Sequence, residues 1–163
     1  MFVSSFPRHT KNVGTRIYKV LGVTENLFIR QNLITNIMYW CIKLSEEIQH
    51  RVMKVFNTFF TVPAGWTKHC DHITLIHSSN EHWFAVTGLI SNFLGKSIDF
   101  NIIGVGHDKN VMALEVSAHT ANERAHITIC TAPGHKPVES NDIKNWEKLY
   151  CADKFSGIIT LES

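Results

Sequence analysis

Two segments of the chain, His72-Ile73-Thr74-Leu75 and His126-Ile127-Thr128-Ile129, read almost identically and lie far apart. Each alternates polar and apolar residues, the pattern of a strand with one face on a core. His72 and Thr74 therefore share one side of a strand while Ile73 and Leu75 share the other. His126 and Thr128 stand in the same relation to Ile127 and Ile129. A chain with two such strands must build sheet structure that buries the apolar pairs and offers both polar pairs to a cleft or to solvent.

The chain holds ten His, so about one His-x-Thr is expected by chance at this Thr content. Requiring Ile between and an apolar residue after lowers the expectation to roughly a few hundredths, and two copies to roughly one in a thousand. No other His-x-Thr occurs. Imidazole is the side chain that exchanges protons near neutrality, so one ring can be neutral and accept a proton while another is charged and donates. Thr hydroxyls can donate to oxygens on which charge builds in a transition state. Opening a cyclic phosphodiester needs these parts: a base for water, an acid for the departing ribose oxygen, and donors for the non-bridging oxygens. His72 and His126 are the candidate acid–base pair, Thr74 and Thr128 the candidate phosphate-gripping hydroxyls, and no metal or other cofactor is required.

The rest of the chain fits one α+β domain. Its 163 residues suit a single core, and 44% apolar with 18% charged residues is ordinary for a globular protein. The net charge of +2 is too small to mark a general nucleic-acid binder, although it permits an anionic substrate. Cys41, Cys70, Cys130 and Cys151 are widely spaced and no secretory leader is evident, so free thiols and an intracellular location, nucleus or cytoplasm, are expected. No apolar run approaches the roughly 18 residues that span a bilayer, and no membrane partner is expected.

Residues 1–14 read as an irregular arm, and residues 15–23 and 37–44 as strands. Ser45 reads as the N-cap of a helix with Glu46 and Glu47 in its first turn. Ile48, Val52, Val55, Phe56, Phe59 and Phe60 form its apolar stripe, and the helix should end near Pro63. Lys43, Arg51 and Lys54 are expected to solvate its outer face. Strands are expected over 71–77 and 125–131, a helix over 80–94 ending at Gly95, and a hairpin of 97–106 with 110–117 turning at His107-Asp108-Lys109. A loop over 133–141, a short helix over 142–149 and a last strand over 157–162 complete the reading. One His-Ile-Thr falls in each half, which suggests two similar lobes.

The paired motifs resemble those of the two-histidine (2H) phosphoesterases. The run from Asp99 to Trp146 resembles more closely the cyclic phosphodiesterase domain of fungal-type tRNA ligases. That narrower likeness lies in Val111-Met112-Ala113-Leu114-Glu115-Val116 and in the stretch from His126 through Thr131-Ala132-Pro133-Gly134 to Lys136-Pro137-Val138-Glu139-Ser140-Asn141. The resemblance covers roughly residue 38 to the end. It implies a bilobal fold with two antiparallel sheets facing a central cleft and helices outside. It also implies hydrolysis of RNA 2′,3′-cyclic phosphate ends, such as those of tRNA halves, to 2′-phosphate and 3′-hydroxyl ends. Full-length ligases of this kind carry covalently linked ligase and kinase modules. This chain has no P-loop motif, so it is expected to be an isolated domain or a stand-alone relative.

Lys136, in the loop after the second motif, is a candidate phosphate contact. Trp83 and Trp146 are candidate base-stacking residues, with burial in the core the more ordinary role. His69, His77, His82, His107, His119 and His135 read as surface or hydrogen-bonded groups. His69, Cys70, Asp71, His72 and His77 are crowded enough to raise zinc ligation, but neighbouring strand residues point to opposite faces and cannot all converge. Two other functions fit the same motifs: a non-catalytic reader of RNA ends or nucleotides, and a 2H phosphodiesterase acting on another substrate, such as 2′,5′-oligoadenylate or an ADP-ribose cyclic phosphate.

Overall fold

The computed structural model describes residues 38–163. The expected N-terminal arm and the strand over 15–23 lie outside the described residues. Eight strands and two α-helices follow in the order β1 (Tyr39–Lys43), α1 (Glu46–Phe59), β2 (Thr67–Lys68), β3 (His72–His77), α2 (Trp83–Ile90), β4 (Ser97–His107), β5 (Val111–Val116), β6 (His126–Thr131), β7 (Trp146–Lys148) and β8 (Lys154–Glu162). All the strand pairs are antiparallel. The fold is a mixed α/β arrangement in which one open antiparallel sheet runs β2-β6-β5-β4-β8-β1-β3, with β7 paired to β4.

Strand β4 joins the two halves of that sheet. Its first residues, Ser97 to Asn101, pair with β8, and its last, from Ile102 to His107, pair with β5 and β7. The hairpin that follows turns where the sequence places it. Asp108 Oδ1 accepts from the backbone N–H of Asn110 at 2.7 Å and of Val111 at 2.9 Å, so the carboxylate satisfies the donors of the reversal.

Helix α1 starts as its sequence dictates. Ser45 is extended, and its hydroxyl accepts from the Ile48 N–H at 3.4 Å. Of the apolar stripe, Val52 and Phe56 are fully buried, whereas Phe59 is 56% exposed. The helix stops at Phe59, four residues before Pro63, where Phe60 becomes extended. Lys43 is a correction to the reading above: it belongs to β1 and faces β3, not the helix surface.

Helix α2 is shorter than the apolar run that encodes it. Asn80 donates its N–H to His77 O, and its side chain accepts from the His82 N–H at 2.9 Å, so it closes a turn and the helix begins only at Trp83. Past Ile90 the chain tightens into a 3₁₀ turn, Ser91–Phe93. Trp83 is buried in the core.

The helix expected over 142–149 does not form. A 3₁₀ helix spans Pro137–Asp142, inside the expected loop, and Trp146–Lys148 is a strand on β4. Ile143 and Trp146 satisfy their apolar character against Val111 and Ala113 of β5, leaving no second surface for a helix to cover. The terminal strand begins earlier than expected, at Lys154, because Phe155 packs on Phe100 with ring centroids 5.8 Å apart.

Gly157 of β8 lies against the turn from β1 into α1. A Cβ there would stand 2.5 Å from Ile42 Cγ2 and 2.7 Å from the Lys43 carbonyl oxygen. Backbone cannot yield as a side-chain tip can. Gly157→Ala is expected to lower the unfolding free energy by about 1–3 kcal/mol, read from the midpoint of urea denaturation.

Candidate active site

Both His-Ile-Thr segments become strands, and their exposure follows the alternation in the sequence. His72, Thr74, His126 and Thr128 are partly exposed, whereas Ile73 and Ile127 are fully buried. The likeness extends to the pairing. On β3, His72, Ile73 and Thr74 face Lys43, Ile42 and Cys41, after which the register slips and Trp40 faces Ile76. On β6, His126, Ile127 and Thr128 face Glu115, Leu114 and Ala113, after which Met112 faces Cys130. Each motif thus carries a β-bulge at the residue just after its Thr, Leu75 in one strand and Ile129 in the other. The bulge lets two consecutive apolar residues turn inward, and Leu75-Ile76 and Ile129-Cys130 are all buried.

The two strands are brought together by the chain that leads into β3. Thr67 and Lys68 pair with Thr131 and Cys130 of β6, then the N–H groups of His69 and Cys70 donate to Ile129 O and Thr128 O at 2.8 and 2.9 Å. At Cys70 the backbone turns through φ +76°, and Asp71 O accepts from Leu44 N at 2.9 Å. Cα atoms of β3 and β6 lie within 8 Å of one another, and the rings are near enough for charge on His72 to disfavour charge on His126.

Each imidazole is held by its Nδ1. His72 donates to Asp71 Oδ1 at 3.0 Å, and His126 donates to the Arg124 carbonyl at 2.9 Å. A carbonyl only accepts, so Nδ1 of His126 carries the proton and its Nε2 holds a lone pair when the ring is neutral. The Asp71 carboxyl sits well below the usual carboxylate range because it accepts from His72, with further help from the charges of His72 and Lys43 against the cost of burial. It is therefore ionised and can only accept. In both rings Nε2 is the nitrogen left for a substrate.

The surroundings of the two rings differ. Lys43 Nζ lies 3.3 Å from Asp71 Oδ2 and 3.6 Å from Glu162 Oε2, and the Tyr39 ring is tilted 5.2 Å from His72. Burial raises the Tyr39 phenol. Beside His126, Arg124 binds Glu115 at 2.7 Å and lies 5.6 Å over Trp146, whose ring centroid is 6.2 Å from that of His126. Trp146 reaches this place by lying flat on Gly106, where a Cβ would come within 2.6 Å of the indole. The pKa of His126 is lowered, first by burial and then by His72, and the Arg124 carbonyl only partly offsets this.

The hydroxyls differ as well. Thr128 Oγ1 is 2.9 Å from Ser140 Oγ and 3.3 Å from the Pro137 carbonyl. Ser140, 1% exposed, can donate to Thr128, whose own proton goes to the Pro137 carbonyl over the longer 3.3 Å contact that a ligand oxygen would have to displace. Thr74 has no side-chain hydrogen bond among the described residues, and its hydroxyl reaches solvent. Lys136 is exposed at the start of the 3₁₀ helix that supplies Ser140, where its N–H donates to Glu139 Oε1 at 2.9 Å. Lys43, Glu162 and Tyr39 were not foreseen as parts of this site, whereas Asp71 was weighed only as a metal ligand and Ser140 only as part of the loop after the second motif. Asp71 stands beside His72 in the sequence, and that adjacency was the one signal available.

Three of the other described His have side-chain hydrogen-bond partners. His69 Nε2 is 3.0 Å from Thr131 Oγ1, His77 Nδ1 is 2.7 Å from Ser79 Oγ, and His135 Nδ1 is 2.7 Å from Glu139 Oε2. The crowd of His69, Cys70, Asp71 and His72 forms no cluster of three potential metal ligands, nor does any other group among the described residues.

Residues 24–161 match the model of the fungal tRNA ligase phosphodiesterase domain. The chain belongs to that family, so phosphodiester chemistry on RNA is the class to which this site is referred. No individual curated protein matches the chain significantly.

The site fixes one titration. The His126 imidazole is expected to have a midpoint below the ordinary 6.5, read by proton–nitrogen NMR of the ring, and to rise toward 6.5 in His72→Ala, which removes the opposing charge.

Proposed function

We propose that this domain hydrolyses 2′,3′-cyclic phosphate ends of RNA to 2′-phosphate and 3′-hydroxyl ends without a metal, as in the healing of tRNA exon ends before ligation. The observation that carries the reading is the mirrored pair of bulged strands, each offering an imidazole with Nδ1 tied back and a Thr on the same face. Family membership supports it independently. In this reading the two halves of the sheet, joined by β4, act as two lobes around the cyclic phosphate, and linked ligase and kinase modules would supply the other steps.

The steps follow from the groups available. Neutral His126 takes a proton from water at Nε2 as the water oxygen bonds to phosphorus. The P–O3′ bond breaks, its electron pair stays on O3′, and His72 donates the Nε2 proton to that oxygen. Thr74 and Thr128 donate to the non-bridging oxygens as charge gathers there. This division of roles follows the charges nearby. An ionised carboxylate bonds His72 and is itself held by Lys43, whereas an uncharged carbonyl holds His126, beside the balanced pair Glu115 and Arg124. His126, on which charge is disfavoured, is the ring suited to accept a proton, which leaves the donor's part to His72.

Turnover of a 2′,3′-cyclic nucleotide is expected to persist in excess chelator. It is expected to fall on the order of 10²–10⁴-fold in His72→Ala and in His126→Ala, and less in Thr74→Ala and Thr128→Ala. Phosphorus NMR of the product should show a 2′-monoester. Undiminished turnover in both His variants would sink the reading, and saturable binding without product would make the domain a reader of RNA ends.

The rate should also depend on pH in a defined sense. His126 must be neutral to accept a proton, and its pKa is lowered. The acid limb of kcat/KM is therefore expected below 6.5, with activity lost as pH falls through it.

A further inference from the structure

From the Nδ1 hydrogen bond and the ion pairs behind it, we infer that Asp71 is the positioning residue of His72, itself fixed by Lys43 and through it by Glu162. The inference rests on the phosphodiesterase reading for its catalytic meaning, but not for its physical content. Asp71 Oδ1 accepts from His72 at 3.0 Å, and Oδ2 accepts from Lys43 at 3.3 Å. The two oxygens are thus bound on opposite sides, and the carboxylate plane cannot turn without breaking one contact. Lys43 is held in turn by Glu162 of β8 at 3.6 Å. The chain Glu162–Lys43–Asp71–His72 crosses β8, β1 and the start of β3.

The geometry has a specific effect on the ring. A carboxylate on Nδ1 selects the tautomer with the proton on that nitrogen, orients the plane of the ring and shares the positive charge of the imidazolium. His126 is held by an uncharged carbonyl and has no such support. Two motifs with the same spelling are thereby given different roles, and the difference resides in the residue before the first His. Asp71 precedes His72, whereas Ala125 precedes His126. Ala125 is buried and cannot accept a proton.

The ionisable groups that face His72 are Asp71 beside it, Lys43 and Tyr39 on β1, Glu162 on β8, His126 on β6 and His69 on the segment before β3. Of these only Asp71 makes a hydrogen bond to the ring. Asp71→Asn keeps an acceptor of the same shape and removes the charge. That change should weaken the preference for the proton on Nδ1 while leaving the ring in place.

The test is a pair of measurements on the wild type, Asp71→Asn and Asp71→Glu. Ring NMR is expected to show His72 with its proton on Nδ1 in the wild type, a mixture of tautomers in Asp71→Asn and largely the Nδ1 form again in Asp71→Glu. With a 2′,3′-cyclic nucleotide, Asp71→Asn is expected to lower kcat on the order of 10- to 100-fold, part of what an acid–base group contributes, with little change in KM, and Asp71→Glu to recover most of it. If the His72 tautomer is unmoved in Asp71→Asn, the inference is overturned, whatever the rate. If the tautomer moves but the wild type has no turnover, Asp71 positions His72 and the phosphodiesterase reading falls instead.

Discussion

A single backbone turn at Cys70 sets the distance between the two motifs. The chain runs along β6 from Thr67 to Cys70, bonded at each step, and then turns into β3, whose partner is β1. Without that turn, β6 and β3 would be kept apart by the four strands between them in the sheet, β5, β4, β8 and β1. The conformation is unusual for a residue with a Cβ and costs on the order of 1–3 kcal/mol. It is held from both sides, by Cys70 N to Thr128 O and by Leu44 N to Asp71 O. The Cys70 side chain is buried, its thiol pushed up to about 12 by burial, and it reaches the Gln49 carbonyl of α1 at 3.8 Å. Helix α1 thereby braces the turn, and the longest helix among the described residues is tied directly to the register of the site.

The bulges add the second level of control. Strict alternation along β3 and β6 would send Ile76 and Cys130 to the polar face, since each lies an even number of residues from its His. One extra residue after each Thr moves them to the core and bends the strand just past the motif. The same device at both sites, with the same partner count on the neighbouring strand, is a structural repeat that the amino-acid sequence shows only as two matching tetrapeptides. It places His and Thr ahead of the bend in both halves.

Local signals account for what could be read in advance. Ser45, the Asp108 turn and the His-Ile-Thr alternation each depend on contacts within a few residues, and each is found where the sequence puts it. The segment 142–149 was misread because Ile143 and Trp146 sit three apart, as they would on a helix, while the surface that actually receives them is β5 and Gly106 of β4, distant in the chain. Helix α2 was read too long because Asn80 can cap a turn as easily as a helix. In the site, the two His and two Thr were legible because their repetition is improbable. Lys43, Glu162 and Ser140 were not, because nothing in the sequence near a strand says which cross-strand neighbour it will meet.

Identical motifs cannot by themselves do different things, yet acid–base chemistry needs one ring that gives a proton and one that takes it. The difference has to come from the neighbours, and it does so in two ways. Burial and an uncharged carbonyl acceptor disfavour charge on His126. An ionised carboxylate, pinned by an ammonium that a second carboxylate also holds, meets His72. Because the rings also repel each other's charge, protonating one helps keep the other neutral, and a small bias in the surroundings is enough to decide which is which. A symmetric pair of strands is thus made into an asymmetric pair of proton-transfer groups by residues outside the motifs, chiefly the one immediately before the first.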